Sequence, residues 1–378
     1  MTMSGGELAT FIGSLALVDH HSHGVAAGPL DGPAFEALLS EGGAPAPGMS
    51  NFDTPLGLAL RRWCAPALGL PPHAAPQDYL ARRAELGAAE AAARLLRSTR
   101  THEYLIDTGF RSDELLDPAR FAAVSGARAH EVVRLEAVAE TLAGASVRPA
   151  GFADAFEAAL EEATVGAIGL KSIVAYRGGF DFPPDPPAPT EVRRAAESWL
   201  GSGARRLDHP VLLRHVLWSG IRRGLPLQLH VGYGDPDLVL HRTDPSRLTG
   251  FLKLTADSGV PVLLLHCYPY HRHAAYLAAV LPHVHLDLGL AIPHVGARAA
   301  ALLAETLELA PFGKLLYSSD AYGLPELYLL GATLFRRALA RVLGDWLDED
   351  ALARSDAEHI ARSICRHNAE RVYGLGPA

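Results

Sequence analysis

Six residues suited to binding a metal ion stand at the close of short apolar runs. His21 and His23 flank a serine in DHHSHG, Lys171 ends AIGLK, His230 ends PLQLH, His266 ends PVLLLH, and Asp320 follows KLLYSS. Imidazole nitrogens with a carboxylate are borderline ligands that suit Zn²⁺ and also Mn²⁺, Fe²⁺ or Ni²⁺. Residues two apart on a strand share a face, so His21 and His23 can hold one cation together. A single histidine at a strand end is more often a hydrogen-bonded structural residue, and HxH alone is a weak signal. The recurrence of such residues at one level, strand after strand, is what points to a metal site. Lys171 has more than one reading. Its amine can reach towards solvent or neutralise a substrate carboxylate. Burial also depresses a lysine pKa, and a neutral amine can add CO₂ to give a carbamate that bridges two ions. His20, His271, His273, His283, His285 and His294 are surplus, with supporting or surface roles expected, and Cys267 is read as packing.

The elements that must position these residues are legible as an alternation. Strands are expected at 15–19, 104–107, 131–135, 167–171, 226–230, 261–266, 284–288 and 314–317. Amphipathic helices lie between most of them. Asp208 is the expected N-cap of a helix that stops at Gly224, Asp244-Pro245 opens another that ends at Gly259, and Pro325 opens a long one to Leu343. Continuous apolar strands joined by helices mean parallel strands buried on both faces. Eight such units predict an α/β fold, a (β/α)₈ TIM barrel, over a single domain at 1–378. Such a barrel needs roughly 250 residues, which leaves about 130. A helical insertion at 28–100, after the first strand, and a C-terminal helical tail from about Leu347 absorb them. The insertion would roof the site as a lid. The chemistry belongs at the C-terminal ends of the strands.

Composition narrows the field further. The 378 residues are 49% hydrophobic and 20% charged, enough for a large core and unlike a disordered chain. A net charge of −8 offers no footprint for nucleic acid or an anionic membrane. No apolar run approaches a membrane span, and the start has no basic region and apolar core of a signal peptide. Three cysteines without a CxxC suit reduced thiols in a cytoplasm. The phosphate-binding GxxxxGK[ST], the zincin HExxH and the GxSxG elbow are missing from the sequence.

With this pattern in view, the sequence resembles the amidohydrolase superfamily of metal-dependent hydrolases. The runs GLKSIVAYRGG, LHCYPYHRHAAYLA, LLYSSDAYGLPELYLLGA and HNAERVYGL are similar to its amidohydrolase-related branch, which includes the amidohydrolase-like half of fungal and plant proteins fused to a glutamine-synthetase-like domain. The resemblance runs from about Leu15 to the C-terminus and is weakest over 28–100. It implies that His21, His23 and Asp320 bind the more buried metal. His230 and His266 would bind a second ion, with Lys171 as a carbamylated bridge. In branches that keep one metal, the sixth-strand histidine contacts substrate, so His266 would be catalytic and Lys171 would bind substrate.

The expected reaction is hydrolysis of an amide or related C–N bond in a small, carboxylate-bearing substrate. Water activated by a divalent metal, zinc by preference and one or two ions in number, would be the nucleophile. Asp320 would shuttle the proton to the leaving nitrogen. Tyr176, Arg177 and Arg272 are candidate substrate contacts, an arginine there being able to grip a carboxylate with two hydrogen bonds. Arg134 and Glu136 read as a structural ion pair. The alternatives are a mononuclear decarboxylase or sugar-acid isomerase, and a non-catalytic regulatory barrel beside a partner in nitrogen metabolism. Enzymes of this kind often pair, so a homo-oligomer is compatible with the sequence.

Overall fold

The computed structural model of the chain describes residues 5–145 and 147–376. The chain divides into two compact units. The first comprises the residues up to His130, Gly234–Pro236 and everything from Asp287 on; the second comprises Glu131–Tyr233 and Asp237–Leu286.

In the first unit, β1 (Leu17–Ser22) and β2 (Thr101–Asp107) run parallel, with Val18 opposite Glu103 and Asp19 opposite Tyr104. The apolar pattern places β1 at 15–19, but the strand continues through His20 and His21 to Ser22, all buried. It does so because its polar side chains find buried partners. His20 sits 2.9 Å from Asp287 and 3.1 Å from the Tyr373 hydroxyl, and Asp19 accepts from the Ser319 amide and hydroxyl at 2.9 and 2.6 Å.

The expected strand at 314–317 is a correction. Phe312–Lys314 is a 3₁₀ turn, and no regular strand follows it. The Asn368 side-chain amide donates to the Phe312 and Leu315 carbonyls at 2.7 and 2.8 Å, taking acceptors that a ladder would use. The stretch beyond still lies along β1. His20 N–H donates to Tyr317 O, Asp320 N–H to His21 O and His23 N–H to Ala321 O, at 3.1, 3.0 and 2.9 Å.

The strand-poor block after β1 is helical, as expected. Its helices are Gly32–Ala37, Pro55–Trp63, Pro76–Leu86 and Ala88–Ser98. Three of them start with proline at the first or second position, where its missing N–H costs nothing, and Asp31 and Thr54 cap two of these. The block is tied to the long helix Pro325–Asp348, which runs five residues past its expected end. Tyr79 Oη donates to Glu326 Oε1 at 3.0 Å, and Arg83 Nε does so at 2.8 Å. Glu326 is fully buried. The C-terminal tail follows as helices Arg354–Arg362 and Asn368–Tyr373, with a single π-type turn between them.

The second unit repeats a strand-helix alternation. From Glu131 onward, β3 (Arg128–Arg134) pairs with β4 (Gly169–Ser172). Then β4 pairs with β5 (Leu227–Val231), β5 with β6 (Val262–His266), and β6 with β7 (Val284–Leu286), all parallel. The connecting helices include Leu135–Gly144, Phe152–Ala163, Pro189–Gly201, Pro210–Arg223 and His271–Val280. Gly224 ends the fourth of these in the left-handed conformation as expected, but its N-cap is His209 rather than Asp208. Asp244 caps the turn that opens the next helical stretch, and Gly259 closes it. Among the described residues no helix is long and apolar enough to cross a membrane.

Replacing Arg83 by methionine leaves the Glu326 carboxylate buried without its charge partner. We expect a loss of about 3–5 kcal/mol in urea unfolding; a loss below about 1 kcal/mol would show that this pair does not anchor the helical block.

Candidate metal centre

The first cluster forms where β1 leaves its ladder. His21 and His23 sit two apart, their ring centroids 5.1 Å apart and nearly perpendicular. Both Nε2 atoms face the same oxygen of Asp320: His21 at 3.0 Å and His23 at 3.5 Å from Oδ1. Asp320 reaches that position from a left-handed backbone, φ 50°, in the stretch pinned to β1. Tyr328 donates its hydroxyl to the His23 carbonyl and so fixes the chain from the long helix.

Asp107 at the end of β2 joins this group. Ligand atoms of His21, His23 and Asp107 all lie within 4.8 Å of one another. The Asp107 carbonyl is 3.3 Å from His23 Nδ1, and a carbonyl can only accept. In the neutral ring the proton therefore sits on Nδ1, leaving a lone pair on Nε2. A lone pair aimed at a carboxylate oxygen 3.5 Å away is repulsive unless a cation lies between them. The donor set thus fits a divalent metal, and His21, His23 and Asp320 are the residues that would hold it, with Asp107 behind His23. The ligand set expected from the sequence does not include Asp107; an acid closing a strand is the signal that could have found it.

Beneath these donors the unit is polar. His20 bridges Asp287 and Tyr373, a supporting role among the surplus histidines. Burial pushes the Asp19 carboxyl up to about 8 against the hydrogen bonds from Ser319. His294 donates to the Leu290 carbonyl at 2.9 Å, and burial lowers its pKa.

In the second unit, Lys171, His230 and His266 stand at or near the C-terminal ends of successive strands β4, β5 and β6, all buried. The His230 and His266 rings are 4.7 Å apart, and Tyr176 packs on His230 at 4.4 Å. His266 and Cys267 both take positive φ, 68° and 58°, so the chain turns sharply at the end of β6. Gly232 makes that turn possible from β5, because a Cβ there would lie 2.2 Å from the Tyr268 carbonyl oxygen. Beside Lys171, Glu136 straps the end of β4 by accepting from Ser172 Oγ at 2.6 Å and Ile173 N–H at 3.1 Å. Burial pushes its carboxyl up, and Arg134 is a favourable neighbouring charge. Arg177 pairs with Glu140 at 2.9 Å, and Arg272 is exposed on the helix His271–Val280. His273 pairs with Asp244 at the surface, whereas His271, His283 and His285 are buried, His283 against Thr255. Cys267 is buried, as the packing role requires.

The structure therefore brings His21, His23 and Asp320 together in one unit, and Lys171, His230 and His266 onto neighbouring strands in the other. The amidohydrolase family model matches residues 70–375, and the chain belongs to that family. The matched stretch starts after His21 and His23, so their assignment rests on geometry. A crystal structure from Lactobacillus casei, of a protein assigned as a metal-dependent hydrolase, is 30% identical over 97% of both chains with a TM-score of 0.87. Protein fluG of Emericella nidulans is 35% identical over 223 residues, 55% of this chain but 26% of that protein. Glucuronate isomerase from Caulobacter crescentus covers 99% of this chain and 94% of its own at a TM-score of 0.70 and 15% identity, a likeness of fold.

His21→Ala and His23→Ala should each remove at least half of the metal found by elemental analysis in the zinc-supplemented protein, with circular dichroism unchanged. Full metal content in both variants would show that this pair is not a ligand set.

Proposed function

We propose that the protein is a metal-dependent hydrolase that cleaves an amide or related C–N bond in a small substrate. One observation carries the reading: two imidazole nitrogens aimed at a single carboxylate oxygen, His21 and His23 at Asp320 Oδ1. Family membership and the likeness to a protein assigned as a metal-dependent hydrolase support it. A divalent cation bound by these residues, zinc by preference, supplies Lewis acidity and lowers the pKa of a coordinated water to about 7.

The chain's own groups do the rest. Asp320, whose Oδ1 is turned to both histidines, takes the proton of the attacking water on its Oδ2. The water oxygen bonds to the substrate carbon, the C–N bond breaks, and Oδ2 delivers the proton to the leaving nitrogen. The Asp107 carbonyl holds His23 in the tautomer that presents Nε2. Lys171, His230 and His266 are proposed to serve the same reaction. They would ligate a second ion, with Lys171 carbamylated, or contact substrate directly if one ion suffices. Tyr176 orients His230 by ring contact. Arg177, which also pairs with Glu140, and Arg272 are the candidate arginines for a substrate carboxylate. The same reading takes the chain as one (β/α)₈ barrel with 28–100 as its roof, supported by the whole-chain likeness to the Lactobacillus casei structure. Three buried cysteines outside any disulfide suit a cytoplasmic setting.

Asp320→Asn keeps the shape and removes the proton acceptor. Turnover of an amide substrate found by screening should fall by about 10³-fold, with the thermal midpoint within a few degrees of the parent. Near-normal turnover would refute the assigned role. A sugar acid isomerised by the same protein, with no amide cleaved, would replace hydrolysis by the isomerase alternative.

A further inference from the structure

A cavity of about 510 Å³ opens in the first unit, within the size range of small-molecule pockets. Its walls come from three places in the sequence: Leu30, Leu38 and Glu41 from the helical insertion, Arg111 and Leu115 from the stretch after β2, and Tyr322 two residues after Asp320. The cavity adjoins the metal-ligand cluster through an aromatic chain. Tyr322 meets Phe110 edge-on at 5.6 Å, and Phe110 lies 5.4 Å from His23.

The polar groups of this cavity are unbalanced. Arg111, its one basic side chain among the described residues, is already paired with Glu114 at 2.5 Å. Glu41 makes no hydrogen bond or ion pair among the described residues and is partly buried. Burial pushes the Glu41 carboxyl up to about 8, so a cation arriving beside it would be what holds it ionised. A mostly apolar recess ending in an acid without a cation calls for a ligand that brings the cation.

We infer that this cavity is the substrate's side-chain pocket and that it takes an alkyl chain ending in an ammonium group, with Glu41 as its counter-charge. The inference deepens the hydrolase reading and rests on it for the word substrate; binding itself does not depend on it. Leu30, Leu38 and Leu115 cover the methylenes, and Glu41 receives the cationic end. An anionic end would find Arg111 already paired with Glu114 and would meet Glu41 instead.

The test is calorimetric titration of the zinc-loaded full chain with n-hexylammonium and with hexanoate, repeated on Glu41→Gln and Glu41→Asp, the zinc content of each protein being measured alongside. Hexylammonium should bind the parent and hexanoate should not, and Glu41→Gln should weaken the ammonium by at least about tenfold with Glu41→Asp intermediate. Preference for hexanoate, equal binding of both probes, or ammonium affinity within twofold of the parent in Glu41→Gln overturns it. If the glutamine variant does not fold, Glu41→Asp is judged by the same twofold criterion. A protein that takes up no zinc yet binds hexylammonium through Glu41 would sink the hydrolase reading and leave the pocket standing.

Discussion

Three buried groups that accept more readily than they donate are pressed onto one point at the end of β1. In the neutral ring His23 gives its Nδ1 proton to a backbone carbonyl, so its other nitrogen meets Asp320 with a lone pair. His21 brings a second nitrogen to the same oxygen. Such a convergence costs folding free energy when nothing positive lies at its centre, because burial removes the water that would screen it. A cation turns the same geometry into a stabilising one. The fold around it is the means of holding three side chains in that arrangement.

The holding is done by backbone and polar side chains more than by apolar packing. Alternate backbone bonds lock the 317–321 stretch to β1, and Asn368, far along the sequence, ties down the turn that leads into it. Tyr373 and Asp287 hold His20, Ser319 holds Asp19, and Tyr328 holds the carbonyl of His23. These contacts explain why the C-terminal run HNAERVYG and the run SSDAYG belong together: the first supports the turn that presents the second. The insertion after β1 is anchored to the same long helix through Tyr79, Arg83 and Glu326.

How much is legible in the sequence depends on whether a residue announces itself by an apolar neighbourhood. Lys171, His230 and His266 follow short apolar runs, and their strands lie where the alternation places them, within two residues at most ends. The extension of β1 is not legible, because polar residues buried by distant partners carry no local signal. The segment at 314–317 looks like a strand by composition. Side-chain capping by Asn368 and the turn at Phe312–Lys314, both set by tertiary contacts, keep it irregular. Asp107 is visible as the end of a strand, but its relation to His23 exists only in three dimensions. Arg177, a loop arginine near Lys171, suggests a substrate contact by position, and its pairing with Glu140 is seen only in three dimensions. Glu41 lies in a glycine-rich stretch with no periodicity to mark it.

The most direct test of the shared-cation claim is anomalous X-ray diffraction at the zinc edge from crystals grown with the metal. A peak bonded to His21 and His23 at roughly 2.0–2.1 Å, with Asp320 as a further ligand, is the predicted result. A crystal saturated with zinc that shows no peak at that position, while His21 and His23 keep their places, would contradict it.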